Sequence, residues 1–226
     1  MHGKDDAAIS PSLCCRDSYN DELHKCEPAV CYNAAMKEEA DMKELPDYSS
    51  EFNPQLKLED FSKGALIRLL VAASKLYTGI DPLWVAAMRK RFGDRAAFDY
   101  DKEIWQTGTQ NEVRGVAKAL NITGNDVAAV FKYFQFSPGF GVLFDIDWDL
   151  KDRNHGIMTV TRCNGVIWWE RTEDYALQKF TCEEIEIPMF QRVASYFNPK
   201  MKATALKLPP RVSEHDIACR WEFKVE

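Results

Sequence analysis

The sequence has no apolar stretch approaching the roughly 20 residues that cross a bilayer. Its opening, Met-His-Gly-Lys-Asp-Asp-Ala-Ala, lacks the apolar segment of a secretory signal. It also lacks an excess of basic charge, with 29 Lys and Arg against 35 Asp and Glu and a net charge of −6. These absences argue against a membrane-spanning protein and against binding to the phosphate backbone of nucleic acid.

The sequence has seven cysteines, an odd number. A chain of 226 residues is long enough to bury a hydrophobic core without disulfide bonds. Reduced thiols or metal ligands fit this count better than a disulfide framework, and we expect a cytoplasmic location. Motifs for several common chemistries are absent as well. There is no Ser/His/Asp order, no phosphate-binding glycine loop and no HExxH helix.

The acidic charge is concentrated in residues 1–58. This segment holds 12 Asp and Glu but six Lys and Arg, whereas residues 59–226 hold 23 of each sign. It also contains Cys14, Cys15, Cys26 and Cys31, at spacings that match no standard zinc finger or ferredoxin. We therefore expect an acidic extension over 1–58, through which a protein partner or a homo-oligomer could be contacted, followed by a single domain over 59–226.

Apolar residues in 59–137 recur at spacings of three and four, which is typical of amphipathic helices. One such series spans 61–77. Asp81-Pro82 predicts the start of another helix, because Asp is a good N-cap and Pro is favoured in the first turn. Further helices are predicted over 98–120 and after the cap at Asn125-Asp126. The first part of the domain is therefore predicted to be helical.

From residue 140 onward the apolar period falls to about two, which indicates β-strands. Strands are predicted over 146–150, 157–163, 166–169, 201–208 and 217–225. Thr181 with Glu184 forms a capping box, which predicts a helix that begins there and runs to about Phe197. The order of elements predicts an α+β fold: a helical half, then an antiparallel sheet over 140–226 with a packed helix.

Cys182 is the thiol with the clearest chemical context. It follows Thr181, so the capping box places it in the first turn of a helix. Free amide groups and the helix dipole favour a thiolate at such a position. Three neighbouring glutamates oppose this effect through their negative charge. Cys182 is therefore a candidate nucleophile or metal ligand.

Two further cysteines lie at the ends of predicted elements. Cys163 ends a strand before a turn, and Cys219 lies on the core-facing side of the last strand. We predict that these two thiols and Cys182 meet at one edge of the sheet. Three thiolates with His215, His155 or a water as the fourth group would form a tetrahedral zinc or iron site.

Arg162 is the candidate anchor for a substrate carboxylate. It directly precedes Cys163, and a guanidinium group binds a carboxylate through two parallel hydrogen bonds. The aspartates that alternate along the first strand are most simply a solvated strand face.

Several short stretches carry a likeness to a known family. They are Thr-Val-Thr-Arg-Cys ending at Cys163, Phe-Thr-Cys ending at Cys182, Phe197-Asn198-Pro199, Leu208-Pro209-Pro210 and Cys219-Arg220-Trp221-Glu222-Phe223. Residues 145–223 resemble the aminothiazoline-carboxylate hydrolase-like family and, distantly, the vinyl-4-reductase-type small-molecule-binding domains; 93–120 is similar less specifically. The resemblance implies an α+β fold with a small-molecule pocket framed by these cysteines. It also implies hydrolysis of a cyclic C–N bond, since some members are named for that reaction.

These observations favour a hydrolase-like enzyme acting on a small carboxylate-bearing compound that contains sulfur or nitrogen. Cys182 would be nucleophile or metal ligand, Cys163 and Cys219 would be metal ligands, and Arg162 would hold the carboxylate. If zinc or iron is bound, its water would attack the substrate. The alternatives are a non-catalytic module that binds a small molecule or a metal, and an accessory subunit of a larger complex.

Overall fold

The computed structural model describes residues 44–226. The four cysteines predicted in the acidic extension lie outside this range. Residues 66–226 form one compact unit, and the described residues before them, 44–65, belong to another. In the described part of the first unit, Leu45 pairs with Phe61 in an isolated parallel bridge, and a short 3-10 turn spans Leu58–Asp60.

The described chain is built from six α-helices and four strands. The helices are α1 (Lys63–Phe92), α2 (Asp94–Ala119), α3 (Val127–Phe136), α4 (Asn164–Thr172), α5 (Tyr175–Lys179) and α6 (Glu186–Phe197). A π-helical segment, Phe180–Ile185, joins α5 to α6. The strands are β1 (Asp145–Asp152), β2 (His155–Arg162), β3 (Met201–Lys207) and β4 (Cys219–Val225). The fold is of the α+β class, as predicted. Over residues 44–226, none of the helices has both the length and the apolarity required of a membrane span.

Helix α1 differs from the prediction at Asp81-Pro82, where a new helix was expected to begin. The helix instead continues through Pro82. Asp81 does not cap a helix; its carboxylate accepts a hydrogen bond from the indole nitrogen of Trp105 in α2 at 3.0 Å. An interior proline removes one backbone hydrogen bond. The cost is local, because Tyr77 before the proline and Arg89 after it both contact side chains of α2.

The predicted cap of α3 is confirmed. Asp126 has an extended backbone, and its carboxylate accepts a hydrogen bond from the amide of Ala129 at 3.1 Å. This satisfies one of the amide groups that the first turn of a helix leaves free. Six of the ten residues of α3 are buried, so the helix lies in the core rather than on the surface.

The strands form one antiparallel sheet in the order β1-β2-β4-β3. The register aligns Trp148, Met158, Trp221 and Ala205 in one row across all four strands. Because side chains alternate along a strand, this row shares one face, and the aspartates of β1 are exposed. The predicted strands at 146–150, 157–163, 201–208 and 217–225 are confirmed within a few residues of their bounds.

Helix α6 is fixed to the sheet through stacked aromatic rings. The Phe190 ring lies 4.0 Å from that of Trp221, measured between centroids, with an angle of 2° between the planes. Phe134 of α3 also stacks on Phe190, with the ring centroids 4.9 Å apart. All three side chains are at most 1% exposed, and aromatic residues of this size contribute most of the burial energy of a core. This packing determines where the first turn of α6 lies.

The predicted strand over 166–169 is wrong, because this segment lies within α4. Val166 is buried and Trp169 packs against the core three residues later, whereas Trp168 is 47% exposed. A spacing of three residues on the buried side belongs to a helix, not to a strand. The Asn164-Gly165 pair, predicted as a tight turn, forms the first turn of that helix.

The helix predicted to begin at Thr181 starts earlier, at Tyr175. Asp174 caps it, and its carboxylate accepts a hydrogen bond from the amide of Leu177 at 3.2 Å. Thr181 therefore lies inside a continuous helical run, in the π-helical segment. Such segments insert one extra residue in a helix and are frequent at functional sites.

Candidate thiol–carboxyl site

Cys163 and Cys219 lie at the same edge of the sheet, the one at which the central strand β2 ends and the central strand β4 begins. Cys163 directly follows β2, and Cys219 opens β4 opposite Val160 of β2. The antiparallel register therefore places both residues near the end of β2. Both are half-buried, and both pack against the hydrophobic core.

Cys182 approaches this edge from the π-helical segment and is buried. The prediction that it occupies the first turn of a helix is wrong, because helical backbone precedes it from Tyr175. Cys163 instead holds such a position, since it is the N-cap residue of α4, although its thiol makes no capping hydrogen bond. The helix-dipole effect therefore applies to Cys163.

Glu186 is the common neighbour of the three cysteines. Burial, and next the negative charge of Glu112, raise the pKa of Glu186 to about 8. The charge of Glu186 in turn raises the pKa of each of the three thiols, so all four groups lie within electrostatic range of one another. We call Cys163, Cys182, Cys219 and Glu186 the thiol–carboxyl cluster.

Sequence reasoning treated Glu186 as one of three acids whose charge opposes a thiolate at Cys182. Its spacing of four residues from Cys182 was the available signal, because residues four apart share one face of a helix. That a carboxyl would be buried there depends on how α6 packs against the sheet, which is a tertiary effect. The side chain still keeps a minor part of its surface in contact with solvent.

Burial raises the pKa of all three thiols, and Cys163 is raised least. Its pKa is raised to about 11, because the backbone amides of Val166 and Gly165 and the charge of Arg211 favour its thiolate. For Cys219 a hydrogen bond from the indole of Trp221, at 3.3 Å, opposes the rise only in part. The thiols are therefore protonated near neutral pH, and Cys163 is the one that ionises first.

Glu112, the half-buried carboxyl whose charge acts on Glu186, lies in a partly buried polar network. Its carboxylate accepts hydrogen bonds from the hydroxyl groups of Tyr133 at 2.8 Å, Ser137 at 2.5 Å and Tyr77 at 3.1 Å. These donors stabilise the negative charge of Glu112 inside the protein. That charge is what raises the pKa of Glu186 beyond the effect of burial alone.

Two arginines bear on how a substrate could be held. Arg162 is exposed at the end of β2, and within residues 44–226 its guanidinium has no hydrogen bond or ion pair. Arg211, which sequence reasoning missed, acts on Cys163 through its charge and forms an ion pair with Glu170 at 2.6 Å. Arg211 is thus committed to a structural pair, and the anchoring role of Arg162 stays a prediction.

The predicted metal-ligand set is not assembled in the structure. His215 has an 88% exposed side chain and lies beside Glu214 in the loop before β4. His155 instead pairs with Glu222 at 2.9 Å. In the part of the chain from residue 44 onward, no three His, Cys, Asp or Glu side chains are placed so that they could hold a metal ion. Zinc or iron at the three thiols stays a prediction.

A second pair of carboxyls, the buried Asp101 and the half-buried Asp81, lies between α1 and α2. Asp101 is 2% exposed and shares a hydrogen bond with Asp81, whose other contact is the indole of Trp105. Burial, and next the charge of Asp81, raise the pKa of Asp101 to about 8. The raised pKa means that Asp101 holds its proton well above the usual range of a carboxyl.

Fold and candidate site together define an α+β domain in which three thiols and one carboxyl form a half-buried cluster at the edge of a four-stranded antiparallel sheet. The chain belongs to DUF6125, a family of unknown function, whose model matches residues 59–225. Among the curated proteins and the solved structures, none matched the chain. Its resemblance to the aminothiazoline-carboxylate hydrolase-like family stays a prediction.

Proposed function

We propose that this chain is a cytoplasmic, hydrolase-like enzyme that cleaves a C–N bond in a small sulfur- or nitrogen-containing compound. The observation that carries the proposal is the position of Glu186, a carboxyl with a pKa of about 8 among three thiols. Strongly perturbed titratable groups in one cluster are typical of active sites. A carboxyl with this pKa can both release and accept a proton near neutral pH.

Cys163 is the proposed nucleophile, in place of Cys182. Its pKa, about 11, is raised less than that of either other thiol, since neighbouring amides and Arg211 favour the thiolate. The ionised form of Glu186 would accept the thiol proton as sulfur attacks the carbonyl carbon of an amide-type C–N bond. Protonated Glu186 would then give that proton to the leaving nitrogen as the C–N bond breaks. Water would cleave the resulting thioester and restore the thiol.

The other two thiols have supporting roles in this proposal. Cys182 and Cys219 keep water and charge away from Glu186 and so hold its pKa near neutrality, because each is a weakly polar side chain within range of its charge. Arg162 would bind a substrate carboxylate at the exposed end of β2, one residue before the nucleophile.

Turnover of a panel of cyclic compounds with a C–N bond, each with and without a carboxylate, would test the proposal. Glu186→Gln should lower kcat about 100-fold or more, the usual effect of losing a proton-transfer group. Cys163→Ser should abolish turnover. Arg162→Gln should raise KM for the carboxylate-bearing compounds and leave KM for the others unchanged.

The matched controls are Glu183→Gln, which removes an exposed acid three positions earlier, and Cys182→Ser. Glu183→Gln should leave kcat unchanged, and Cys182→Ser should shift the pH profile more than the rate at its optimum. Turnover that survives both Cys163→Ser and Glu186→Gln would exclude the cluster as the catalytic site.

A metal-binding module is the second candidate, and the chemistry of the donors favours it. Three thiols and a carboxylate are ligands that zinc and iron accept. The described side chains do not converge on one point, so binding would require them to move. Dialysis of the reduced chain against zinc, followed by metal analysis, should give one tightly held ion per chain with release of thiol protons. Zinc content that is unchanged in Cys163→Ser would contradict this role.

A further inference from the structure

Helix α1 turns a narrow side of mixed polarity toward the protein and a largely apolar side toward solvent. Its buried residues are Ser74 and Val85, and Asp81 contacts α2 from the same side. The large apolar side chains of the opposite side are exposed: Leu69 54%, Leu76 71%, Ile80 61%, Leu83 71% and Trp84 52%. An ordinary surface helix has the reverse arrangement. A contiguous apolar surface of this kind marks a contact with another molecule.

The exposed side follows a heptad repeat, the pattern of helices that pair with other helices. Leucines occupy the d positions, Leu69, Leu76 and Leu83. The a positions are held by Ala73, Ile80 and Ala87. We call these six residues the heptad face. A seven-residue apolar repeat sustained over three turns of the pattern predicts knobs-into-holes packing against a second helix.

We propose that the heptad face binds the same face of a second copy of this chain, as an antiparallel helix pair. Between residues 66 and 87 the charged residues are Arg68, Lys75 and Asp81, and all three lie at b or c positions. The flanking e and g positions carry no charge, so two identical helices meet without like-charge repulsion at their interface. Because these positions carry no charge, a helix of a different protein could form no ion pairs with them.

Side-chain size determines the direction of the pair. In an antiparallel pair, a positions of one helix oppose d positions of the other, so Ala73 faces Leu83 and Ala87 faces Leu69 of the second copy. A parallel pair would set alanine against alanine and leave voids. The antiparallel pair also brings together the small g residues Ala72, Gly79 and Ala86, which lets the backbones approach on that side.

The area is adequate for a dimer. Six large apolar side chains at a, d and e positions, each exposing about 100 Å², offer roughly 600 Å² per copy before the alanines and Tyr77 are added, against about 800 Å² per partner in a standard interface. A homodimer interface of this size is apolar at its centre, as this one is. The dimer does not depend on the proposed function.

Sedimentation of the full chain over a range of concentrations, with a matched pair of variants, tests the inference. The unmodified chain should sediment as a dimer at micromolar concentration. Leu76→Asp should raise the dissociation constant about 100-fold or more, because each of the two copies would bury a carboxylate in the interface. Ile67→Asp is the control, since Ile67 is 51% exposed on the same helix but lies at a b position. It should leave the dimer intact.

Cross-linking tests the direction of the pair and does not depend on how well the aspartate variants fold. Gly79→Cys should give a disulfide-linked dimer under mild oxidation beyond that of the unmodified chain, because the two g positions meet near the two-fold axis. Ala73→Cys should not, since its antiparallel partner is Leu83. A chain that stays monomeric up to about 100 μM, far above the dissociation constant of a specific dimer, would overturn the proposal and assign the face to a different partner. Cross-linking through Ala73→Cys alone would overturn it as well.

Discussion

Replacing Glu186 by glutamine should stabilise the folded chain at neutral pH. The pKa of Glu186 is raised from 4.5 to about 8 by burial and by the charge of Glu112. The unfolded carboxyl therefore ionises as pH rises above 4.5, whereas the folded one holds its proton until about pH 8. The stability contribution that is present below pH 4.5 is consequently lost progressively up to pH 8.

The size of the effect follows from the gap between the two pKa values. Between the unfolded pKa and pH 7 lie about 2.5 pH units, which correspond to a loss of at most about 3 kcal/mol in the free energy of unfolding. Because the carboxyl keeps some contact with solvent, screening reduces this value, and we expect about 1–2 kcal/mol. Glutamine has nearly the same shape and does not ionise, so the variant escapes the penalty.

Urea denaturation followed by tryptophan fluorescence, repeated from pH 4.5 to pH 8, measures this directly. The unmodified chain and Glu186→Gln should have similar free energies of unfolding at pH 4.5, and the variant should gain stability steadily toward pH 8. Glu183→Gln, which alters an exposed acid of the same helical run, should show no such divergence. A constant difference at every pH, or a variant that is less stable at pH 8, would refute the reasoning. A gain in stability on removal of a polar group is typical of functional residues.

Three further predictions concern the stability of the fold at other positions. Asp101→Asn should stabilise the chain by at least about 1 kcal/mol at pH 7 and by almost nothing below pH 4. The reason is that the raised pKa of Asp101 makes its ionisation costly in the folded state. Denaturation of both chains at the two pH values measures the difference in stability. Gly141→Ala should destabilise by several kcal/mol, because the added carbon would overlap the carbonyl oxygen of Phe134, as a thermal melt should show. Gly115→Ala should instead stabilise by about 0.5–1 kcal/mol, since Gly115 lies in the interior of α2 with open space around it. Equal melting temperatures for the two alanine variants would contradict both glycine predictions.

The sequence was sufficient to predict the sheet. Residues 146–150 and 217–225 alternate between apolar and polar side chains, and in a globular domain a period of two is typical of a strand with one buried face. The same alternation puts Trp221 and Phe223 on the side of the strand that carries Cys219, and both are buried in the structure. Antiparallel pairing of the predicted strands was then enough to place Cys163 and Cys219 at one edge of the sheet.

Short segments were predicted less well, because their local pattern fits two kinds of structure. Residues 166–169 are a run of apolar and aromatic side chains, which suits a strand as well as a buried helix turn. Asn-Gly favours a turn, yet here it opens α4. The capping box at Thr181 is genuine as a pattern, but the preceding residues continue the helix, so no free end exists for it to cap.

The central residue of the candidate site could not be derived from local pattern at all. Glu186 stands among other glutamates that are exposed, and its burial follows from the stacking of Phe190 on Trp221 far along the chain. The orientation of helix α1 could not be derived from local pattern either. Its apolar spacing was predicted correctly, but which side of it would face the protein depended on polar partners in α2 such as Trp105.

The order of the strands has a consequence for how the chain acquires its structure. Strand β4 follows every other described element in the chain, yet it lies between β2 and β3. As the chain leaves the ribosome, β3 has no neighbour to pair with until β4 emerges. Phe190 and the free side of β2 likewise lack their partners in β4 until then. The sheet therefore closes in a single late step, and a nascent chain held before that step would present two open strand edges to its surroundings.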